Sequence, residues 1–363
     1  MPIRPRPTRF ARSPTRITVR VSRRACARDC CGGSNRDGAR ANAAWRGGAT
    51  RRPRNSPGYR GTDMKLGMIG LGRMGASMAQ RLMRGGHQLV GFDPKAEARK
   101  SLEDSGAESA DSLATLVAML PAPRAVWLMV PAGEITDATL TQLLGLLGAG
   151  DTVVDGGNSN YKDTLRRAAT FAEKKIDYVD CGTSGGVWGL AEGYSLMIGG
   201  NPAAIERLRT VFETLAPAKD QGWGHVGPVG SGHFTKMVHN GIEYGLMQSY
   251  AEGFSILQHK SEFGLDLHQV AEIWRSGSVV RSWLLDLTSD ALGKNPTMAG
   301  LAPYVADSGE GRWTVEAAIE LNVPAPVITQ SLIERLRSRD TESFSDKLLS
   351  AMRNEFGGHE IKK

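Results

Sequence analysis

Four polar side chains recur at helical spacing in the stretch KMVHNGIEYG, and their types suit acid–base chemistry. A lysine acts as a general base when it is neutral, and a glutamate acts as an acid when it is protonated. At positions i, i+3, i+4 and i+7, a helix would place the four groups on one narrow stripe. They are Lys236, His239, Asn240 and Glu243.

A solvated helix face is the ordinary explanation of such a stripe. Two features weigh against it. Lys236 and Glu243 are separated by about 10 Å along a helix axis, too far for a simple ion pair. The loop-like segment PVGSGHF precedes the stripe at a predicted domain junction, where binding sites are common. We therefore expect the stripe to line a pocket.

A glycine turn near residue 70 predicts a dinucleotide site. The segment MKLGMIGLGRMGASMAQRLMRGGHQLVGFDP has the pattern strand, turn, helix (76–83) and strand, with G-x-G-x-x-G at the turn. The first glycine permits the tight turn, the second lets a pyrophosphate approach the backbone, and the third lets helix and strand pack closely. The predicted cofactor-binding residues are Gly70, Leu71, Gly72, Arg73, Met74 and Gly75.

The end of the next strand bears on the choice between NAD and NADP. Asp93 stands 23 residues after Gly70, where a carboxylate accepts hydrogen bonds from the ribose 2′-hydroxyl of NAD and repels the 2′-phosphate of NADP. Lys95, Arg99 and Lys100 follow closely and offer cations to such a phosphate. We predict NAD as the cofactor, with NADP as the alternative.

Further strand-like runs at 125–131, 151–159, 177–184 and 194–200 alternate with helical segments. This alternation predicts an α/β fold, a Rossmann-type doubly wound parallel sheet that binds ligands at the carboxyl ends of its strands. Beyond residue 228 the pattern is helical. We predict a dinucleotide-binding domain at 64–228 and an all-α substrate and dimerisation domain at 229–363. The runs end near Val130, Pro131, Asn158 and Ser184, which we expect at the site.

The formal net charge of +7 is unevenly distributed along the chain. Residues 1–63 contain 16 arginines and three acids, whereas the remainder carries a formal charge of −6, which argues against a nucleic-acid-binding core. We predict that 1–63 is a disordered extension. It can be explained as an over-extended start, which we favour, as a transit peptide or as a polyanion-binding arm. No apolar run has membrane-spanning length, and Cys181, alone after residue 63, indicates a cytoplasmic protein.

From Met64 onward the sequence resembles the decarboxylating 6-phosphogluconate dehydrogenases of the β-hydroxyacid dehydrogenase superfamily. It is most similar to the short form, which lacks a duplicated helical half. The resemblance implies oxidative decarboxylation of 6-phosphogluconate to ribulose 5-phosphate and CO₂ with reduction of NAD(P). It rests on GLGRMG (70–75), VDGGNS (154–159), DCGTSGG (180–186), HFTKMVHNGIEYGLMQ (233–248), WRSGSVVRS (274–282) and RNEFGGH (353–359).

The resemblance also implies roles for individual residues. Lys236 would be the base that accepts the 3-hydroxyl proton, and Glu243 the acid that protonates C1. Asn158 would bridge substrate and nicotinamide. The other implied substrate contacts are Ser184, Gly185 and Gly186 at the carboxylate, His239 and Asn240 at hydroxyls, and Tyr244, Arg335, Arg353 and His359 at the phosphate.

In such enzymes the C-terminal Arg and His reach the neighbouring subunit's site, so the resemblance implies a homo-oligomer, a dimer or tetramer. One segment departs from the pattern: DSGEGRWT is short, lacks a loop lysine, and has Glu310 where a small hydroxyl residue is usual. We leave Arg312 unassigned, and we expect Trp274, Trp283 and Trp313 to serve packing. We see no metal-ligand cluster in the sequence.

Two other functions compete with this prediction. Another β-hydroxyacid dehydrogenase, oxidising a small non-phosphorylated acid such as 3-hydroxyisobutyrate, would need Lys236 but not Glu243 or the tail with Arg353 and His359. A non-catalytic NAD-binding protein would instead use the Arg-rich arm for nucleic acid, with salt-sensitive binding that is lost on truncation to Met64.

Overall fold

The computed structural model describes residues 63–362, without the side chain of Phe356. The predictions for the Arg-rich extension, apart from Asp63, lie outside the described residues. Within 63–362 no helix is long and apolar enough to cross a membrane.

An eight-stranded sheet forms the first part of the described chain, in the order β3-β2-β1-β4-β5-β6-β7-β8. From β3 to β6 the pairing is parallel, and this order of six strands is that of a Rossmann fold, as predicted. The strands are β1 (Lys65–Ile69), β2 (Gln88–Phe92), β3 (Glu108–Ser109), β4 (Ala125–Leu128), β5 (Thr152–Asp155), β6 (Asp177–Ser184), β7 (Ser195–Gly199) and β8 (Trp223–Gly227).

The last strands depart from the purely parallel sheet that the alternation predicts. β7 runs antiparallel to β6, and β8 runs parallel to β7. The link from β6 to β7 contains a 3₁₀ turn (Gly186–Trp188) and the four-residue helix α6 (Gly189–Glu192). So short a link returns the chain beside β6 in the opposite direction, because a parallel return needs a crossover of a dozen or more residues.

Helices cover both faces of the sheet and bury one apolar cluster on each. The first cluster packs Met78 and Leu82 against Trp127 and Phe212, and the second packs Leu116 and other side chains on the opposite face. The covering helices are α1 (Arg73–Arg84), α2 (Ala96–Asp104), α3 (Leu113–Ala118), α4 (Glu134–Leu146), α5 (Tyr161–Glu173), α7 (Pro202–Arg207) and α8 (Arg209–Leu215).

After β8, residues 228–362 contain helices and no strand, which confirms the predicted change of pattern. A single helix, α9 (Ser231–His259), begins beside the sheet and runs for 29 residues. The domain limits 64–228 and 229–363 stay predictions. The remaining helices are α10 (Leu267–Trp274), α11 (Trp283–Lys294), α12 (Glu310–Glu320), α13 (Pro326–Arg337) and α14 (Phe344–Gly357), with a 3₁₀ turn at Ser261–Phe263.

Candidate active site

The glycine turn after β1 is built for close backbone approach. Gly70 has φ of +88°, which favours glycine, and a Cβ at Gly75 would lie 1.9 Å from the carbonyl oxygen of Gly70. A Cβ at Gly72 would meet nothing within 4 Å, so the outer side of the turn is open. These features fit a dinucleotide pyrophosphate at the start of α1.

Asp93, just after β2, braces this turn. Its Oδ2 accepts a hydrogen bond from the N–H of Leu71 (2.9 Å), and its Oδ1 accepts one from the N–H of Lys95 (2.9 Å). Arg99 donates to the carbonyl oxygens of Asp93 and Pro94. Both carboxylate oxygens at the strand end therefore accept hydrogen bonds from the backbone, and the guanidinium of Arg99 is engaged with backbone as well; the ribose contact of Asp93 stays a prediction.

The stripe helix α9 is fixed against the sheet at its first turns. Asp180 on β6 is fully buried, and its two oxygens accept hydrogen bonds from the N–H groups of Gly230 (2.7 Å) and His233 (2.8 Å). A Cβ at Gly182 would lie 2.4 Å from the Cβ of Lys236. Gly182, the first glycine in DCGTSGG, thus lets the strand lie directly against the lysine.

Lys236 lies in this contact with only 7% of its surface exposed. Its Nζ lies 3.4 Å from Nδ1 of His239, and that nitrogen lies 2.9 Å from Oδ1 of Asn240. With its proton on Nδ1, the ring donates to Asn240 and offers Nε2 as an acceptor. Burial lowers the pKa of Lys236, although the carboxylates of Glu243 and Glu310 act in the opposite direction. A lowered pKa suits a lysine that must be neutral to act as a base.

A cavity of roughly 1410 Å³ joins the glycine turn to the stripe. It lies at the carboxyl ends of the strands, where the fold class predicts a ligand. The 14 predicted residues that line it are Gly72, Arg73, Met74, Gly75, Val130, Pro131, Asn158, Ser184, Gly185, Gly186, Lys236, His239, Asn240 and Glu243.

A buried ionic network holds the loop that carries Asn158. Asp155, at the end of β5, accepts hydrogen bonds from the N–H of Gly157, the hydroxyl of Ser159 and the phenol of Tyr178. Arg167 on α5 donates to the Ser159 hydroxyl (3.0 Å) and to the carbonyl oxygen of Gly133. The network therefore ties together the loops after β4 and β5, which both line the cavity.

The sequence is similar to known proteins over nearly the whole described chain. The model of the NAD binding domain of 6-phosphogluconate dehydrogenase matches residues 65–226, and that of the enzyme's C-terminal domain matches residues 232–345. An NAD⁺-dependent, decarboxylating 6-phosphogluconate dehydrogenase of Haloferax volcanii is 48% identical over 299 residues, 82% of this chain and 98% of the relative. The chain belongs to the 6-phosphogluconate dehydrogenase family.

Two further members of the 6-phosphogluconate dehydrogenase family agree with this assignment. A putative enzyme of Bacillus subtilis is 43% identical over 300 residues, 83% of this chain and 100% of the relative. The structure of the Plasmodium falciparum enzyme, described with NADP⁺ and with 6-phosphogluconate, matches with a TM-score of 0.71 and 27% identity. The match covers 82% of this chain and 66% of that one, in agreement with the short form.

The predicted phosphate contacts of this family member lie apart from the cavity lining. Tyr244 is buried on α9, its hydroxyl accepts from the N–H of Ser308 (3.4 Å), and the guanidinium carbon of Arg335 lies 3.4 Å from its ring centroid. Arg353, on α14, and His359 lie near the end of the chain and are exposed. Within one chain, the structure therefore does not bring the C-terminal pair to Lys236; their role stays a prediction.

Sequence reasoning missed two tryptophans that line the cavity. Trp188 stands two residues after the Ser-Gly-Gly segment, which was the signal available for it. Trp283 is 50% exposed at the start of α11, so the expectation that it serves packing is wrong. Trp274 does pack, 5.5 Å from Phe254. In residues 63–362 no group of three or more His, Cys, Asp or Glu side chains could hold a metal ion.

Proposed function

We propose that the protein oxidises and decarboxylates 6-phospho-D-gluconate, giving D-ribulose 5-phosphate and CO₂ with reduction of NAD. One observation carries the proposal: a buried amine, Lys236, and a carboxyl group, Glu243, line the same cavity as the cofactor's glycine turn. The similarity to the Haloferax volcanii enzyme supports both the substrate and the cofactor.

The bound nicotinamide supplies the hydride acceptor. We assign Lys236 to take the proton of the 3-hydroxyl as the C3 hydride leaves, which gives a β-keto acid. The ammonium of Lys236 then donates to the ketone oxygen, so that CO₂ departs and leaves an enediol. Glu243 protonates C1 while Lys236 takes back the enediol proton. Lys236 then releases a proton to water and Glu243 takes one up, which restores both groups.

We assign the remaining lining residues to binding. Backbone N–H groups at Ser184, Gly185 and Gly186 suit the substrate carboxylate; Gly185 and Gly186 have φ of +139° and +51°. His239 and Asn240 are assigned to substrate hydroxyls, and Asn158 to the contact between substrate and nicotinamide. For the phosphate we assign Tyr244, Arg335, Arg353 and His359, because an arginine fork can hold two phosphate oxygens.

We further propose a cytoplasmic homo-oligomer, with residues 64–228 binding cofactor and 229–363 completing the substrate site. Large apolar side chains are exposed on the helices after α9's first turns, as expected of a surface that a second copy covers. Cys181 is a buried free thiol, as is usual in a reducing compartment, and burial raises its pKa, which keeps it unreactive. The exposed apolar residues include Ile256, Ile319, Val327, Phe344 and Leu349.

A substrate comparison tests the proposed reaction. Initial rates are measured with NAD on 6-phosphogluconate and on 3-hydroxyisobutyrate, while CO₂ is recorded. We expect turnover of 6-phosphogluconate with release of CO₂ and little turnover of the smaller acid. Faster oxidation of 3-hydroxyisobutyrate, with no CO₂ from either acid, would instead assign the protein to the non-decarboxylating hydroxyacid dehydrogenases.

A further inference from the structure

Glu310 stands at the start of α12, where this helix packs on the stripe segment of α9. Thr314, one turn further, donates its hydroxyl to the carbonyl oxygen of Met237 (2.8 Å). A Cβ at Gly241 would lie 2.6 Å from the Thr314 side chain. The start of α12 therefore packs along the segment of α9 from Met237 to Tyr244, which begins beside Lys236.

The carboxyl group of Glu310 is sealed inside this contact and only half satisfied. The residue is 2% exposed, and its Oε2 accepts a hydrogen bond from the hydroxyl of Ser308. Its Oε1 is buried and has no hydrogen-bond partner. An unpaired buried carboxylate oxygen is strongly unfavourable, so a nearby cation is needed to offset it.

Lys236, in turn, lacks an anionic partner for its amine. Its amine has one polar neighbour, Nδ1 of His239 at 3.4 Å, and it forms no salt bridge with any carboxylate of the described chain. Glu243 and Glu310 are nevertheless the two carboxylates that act to raise the pKa of Lys236 against burial. An amine without a salt bridge and a carboxyl group with one unpartnered oxygen thus interact electrostatically.

The two carboxylates differ in their relation to the substrate cavity. Glu243 lines the cavity, and its assigned role requires it to carry a proton during part of the cycle. Glu310 does not belong to the lining and is closed to solvent, so it keeps out of proton exchange with substrate. Only Glu310 is therefore placed to balance the ammonium of Lys236 while Glu243 is neutral.

Other charged groups near α9 have partners of their own. On β6, Asp180 accepts from two backbone N–H groups, and the thiol of Cys181 lies near the hydroxyl of Thr183. Arg335 of α13 lies over the ring of Tyr244. Arg312 of α12 pairs with Asp307. The groups that face the Lys236 amine are His239 and Glu243 from α9 itself and Glu310 from α12.

We propose that Glu310 is a positioning residue, the buried counter-charge that stabilises the protonated form of Lys236 and holds its amine toward the base of the cavity. The role of Glu310 in the reaction rests on the proposed function, in which the ammonium of Lys236 donates to the ketone oxygen as CO₂ departs. The pairing itself is independent of which hydroxy acid is bound.

The test removes the negative charge of the Glu310 side chain and keeps its size and shape. Glu310→Gln is compared with the wild-type protein and with Glu316→Gln, which removes an exposed carboxylate from the same helix. Loss of the counter-charge lowers the pKa of Lys236, so the lysine stays neutral to lower pH. We expect the acid limb of kcat/KM to move down by roughly half to one pH unit. A shift of that size corresponds to a kcat/KM that is roughly threefold to tenfold higher at a pH well below the limb. Glu316→Gln should leave both unchanged.

A second readout does not depend on activity. The rate at which trinitrobenzenesulfonate modifies Lys236, located by peptide mass spectrometry, is followed against pH. We expect the modification profile of Glu310→Gln to move to lower pH by the same amount as the acid limb. Unchanged profiles in folded Glu310→Gln, in both measurements, would overturn the inference.

The two proposals fail in different ways. A wild-type protein that makes no NADH from 6-phosphogluconate, while the modification profile of Glu310→Gln still shifts, refutes the proposed function and supports the pairing. If Glu310→Gln does not fold, Glu310→Asp sets the carboxylate one methylene further from the amine. A part-way shift is then expected, and a profile that coincides with the wild type would refute the pairing.

Discussion

At the scale of single residues, the site depends on a lysine whose amine is removed from water without a salt-bridge partner. Lys236 lies against Gly182 of β6 on one side and near His239 on the other. Burial favours the neutral amine, whereas carboxylates favour the ammonium. Because the proposed reaction needs both forms in turn, these opposing influences are what the chemistry requires.

The cofactor preference is a residue-scale prediction at Asp93. In Asp93→Ser we expect the ratio of kcat/KM for NADP to that for NAD to rise by roughly one to two orders of magnitude, since the carboxylate that repels a 2′-phosphate is lost. KM for NAD should also rise, because the N–H of Leu71 loses its acceptor. Initial rates with both cofactors measure the ratio.

Glu97→Gln is the matched control, since it removes an exposed charge from the first turn of α2 and leaves the strand end intact. Its ratio should match the wild type. An unchanged ratio in Asp93→Ser would mean that the preference for NAD arises elsewhere in the site.

The placement of residues at the cavity was predictable where spacing carries the information. Helical spacing placed Lys236, His239 and Glu243 together, and all three line one cavity. Trp283 shows the limit: its sequence context gives no sign of which side of α11 faces the cavity. The burial of Glu310 was equally hidden, because it depends on the packing of α12 against α9, a contact between residues more than 60 positions apart.

At the scale of elements, the position of Lys236 depends on how closely α9 lies on β6. Gly182→Ala would place a methyl group 2.4 Å from the Cβ of Lys236, so α9 must shift. We expect a loss of about 1–3 kcal/mol in the free energy of unfolding and a lower kcat. Chemical denaturation and initial rates measure the two effects.

Gly253→Ala provides the contrast on the same helix. A Cβ there meets nothing within 4 Å, so the exchange should stabilise the protein by up to about 1 kcal/mol through helix propensity and leave kcat unchanged. If Gly182→Ala behaved like Gly253→Ala, close docking of α9 on the strand would not be what positions the lysine.

Most elements were predictable because the periodicity of their apolar residues and their boundary residues lie within the local sequence. The run at 177–184 coincides with β6, and Asn201 and Pro202 begin α7 as a cap and first residue should. β3 has two residues, too few for a pattern, and β8 (WGHVG) is only partly buried. The reversed direction of β7 was missed because a strand's sequence does not specify its direction.

At the scale of the whole molecule, one chain holds only part of the predicted site. Arg353 and His359 do not line the cavity of their own chain, while apolar side chains are exposed on the helices. A second copy that covers these helices could bring its own C-terminal pair to the cavity. Oligomer formation and phosphate binding would then be one event.

Subunit complementation tests this arrangement. Lys236→Ala and Arg353→Ala are each expected to be inactive, but a co-expressed mixture contains hybrids in which an intact lysine faces an intact arginine of the other chain. About a quarter of all sites in a randomly mixed dimer are then complete, so about a quarter of wild-type activity is expected. Absence of any recovery in purified hybrids would place Arg353 outside the neighbouring site.

The most direct measurement of the central claim is the simultaneous recording of NADH and CO₂ from 6-phosphogluconate, for the wild-type protein and for Lys236→Ala. We expect one CO₂ for each NADH in the wild type. For Lys236→Ala we expect a rate at least 100-fold lower, with an almost unchanged Kd for NAD. A wild type that forms NADH without CO₂, or a Lys236→Ala variant that retains substantial turnover, would contradict that claim.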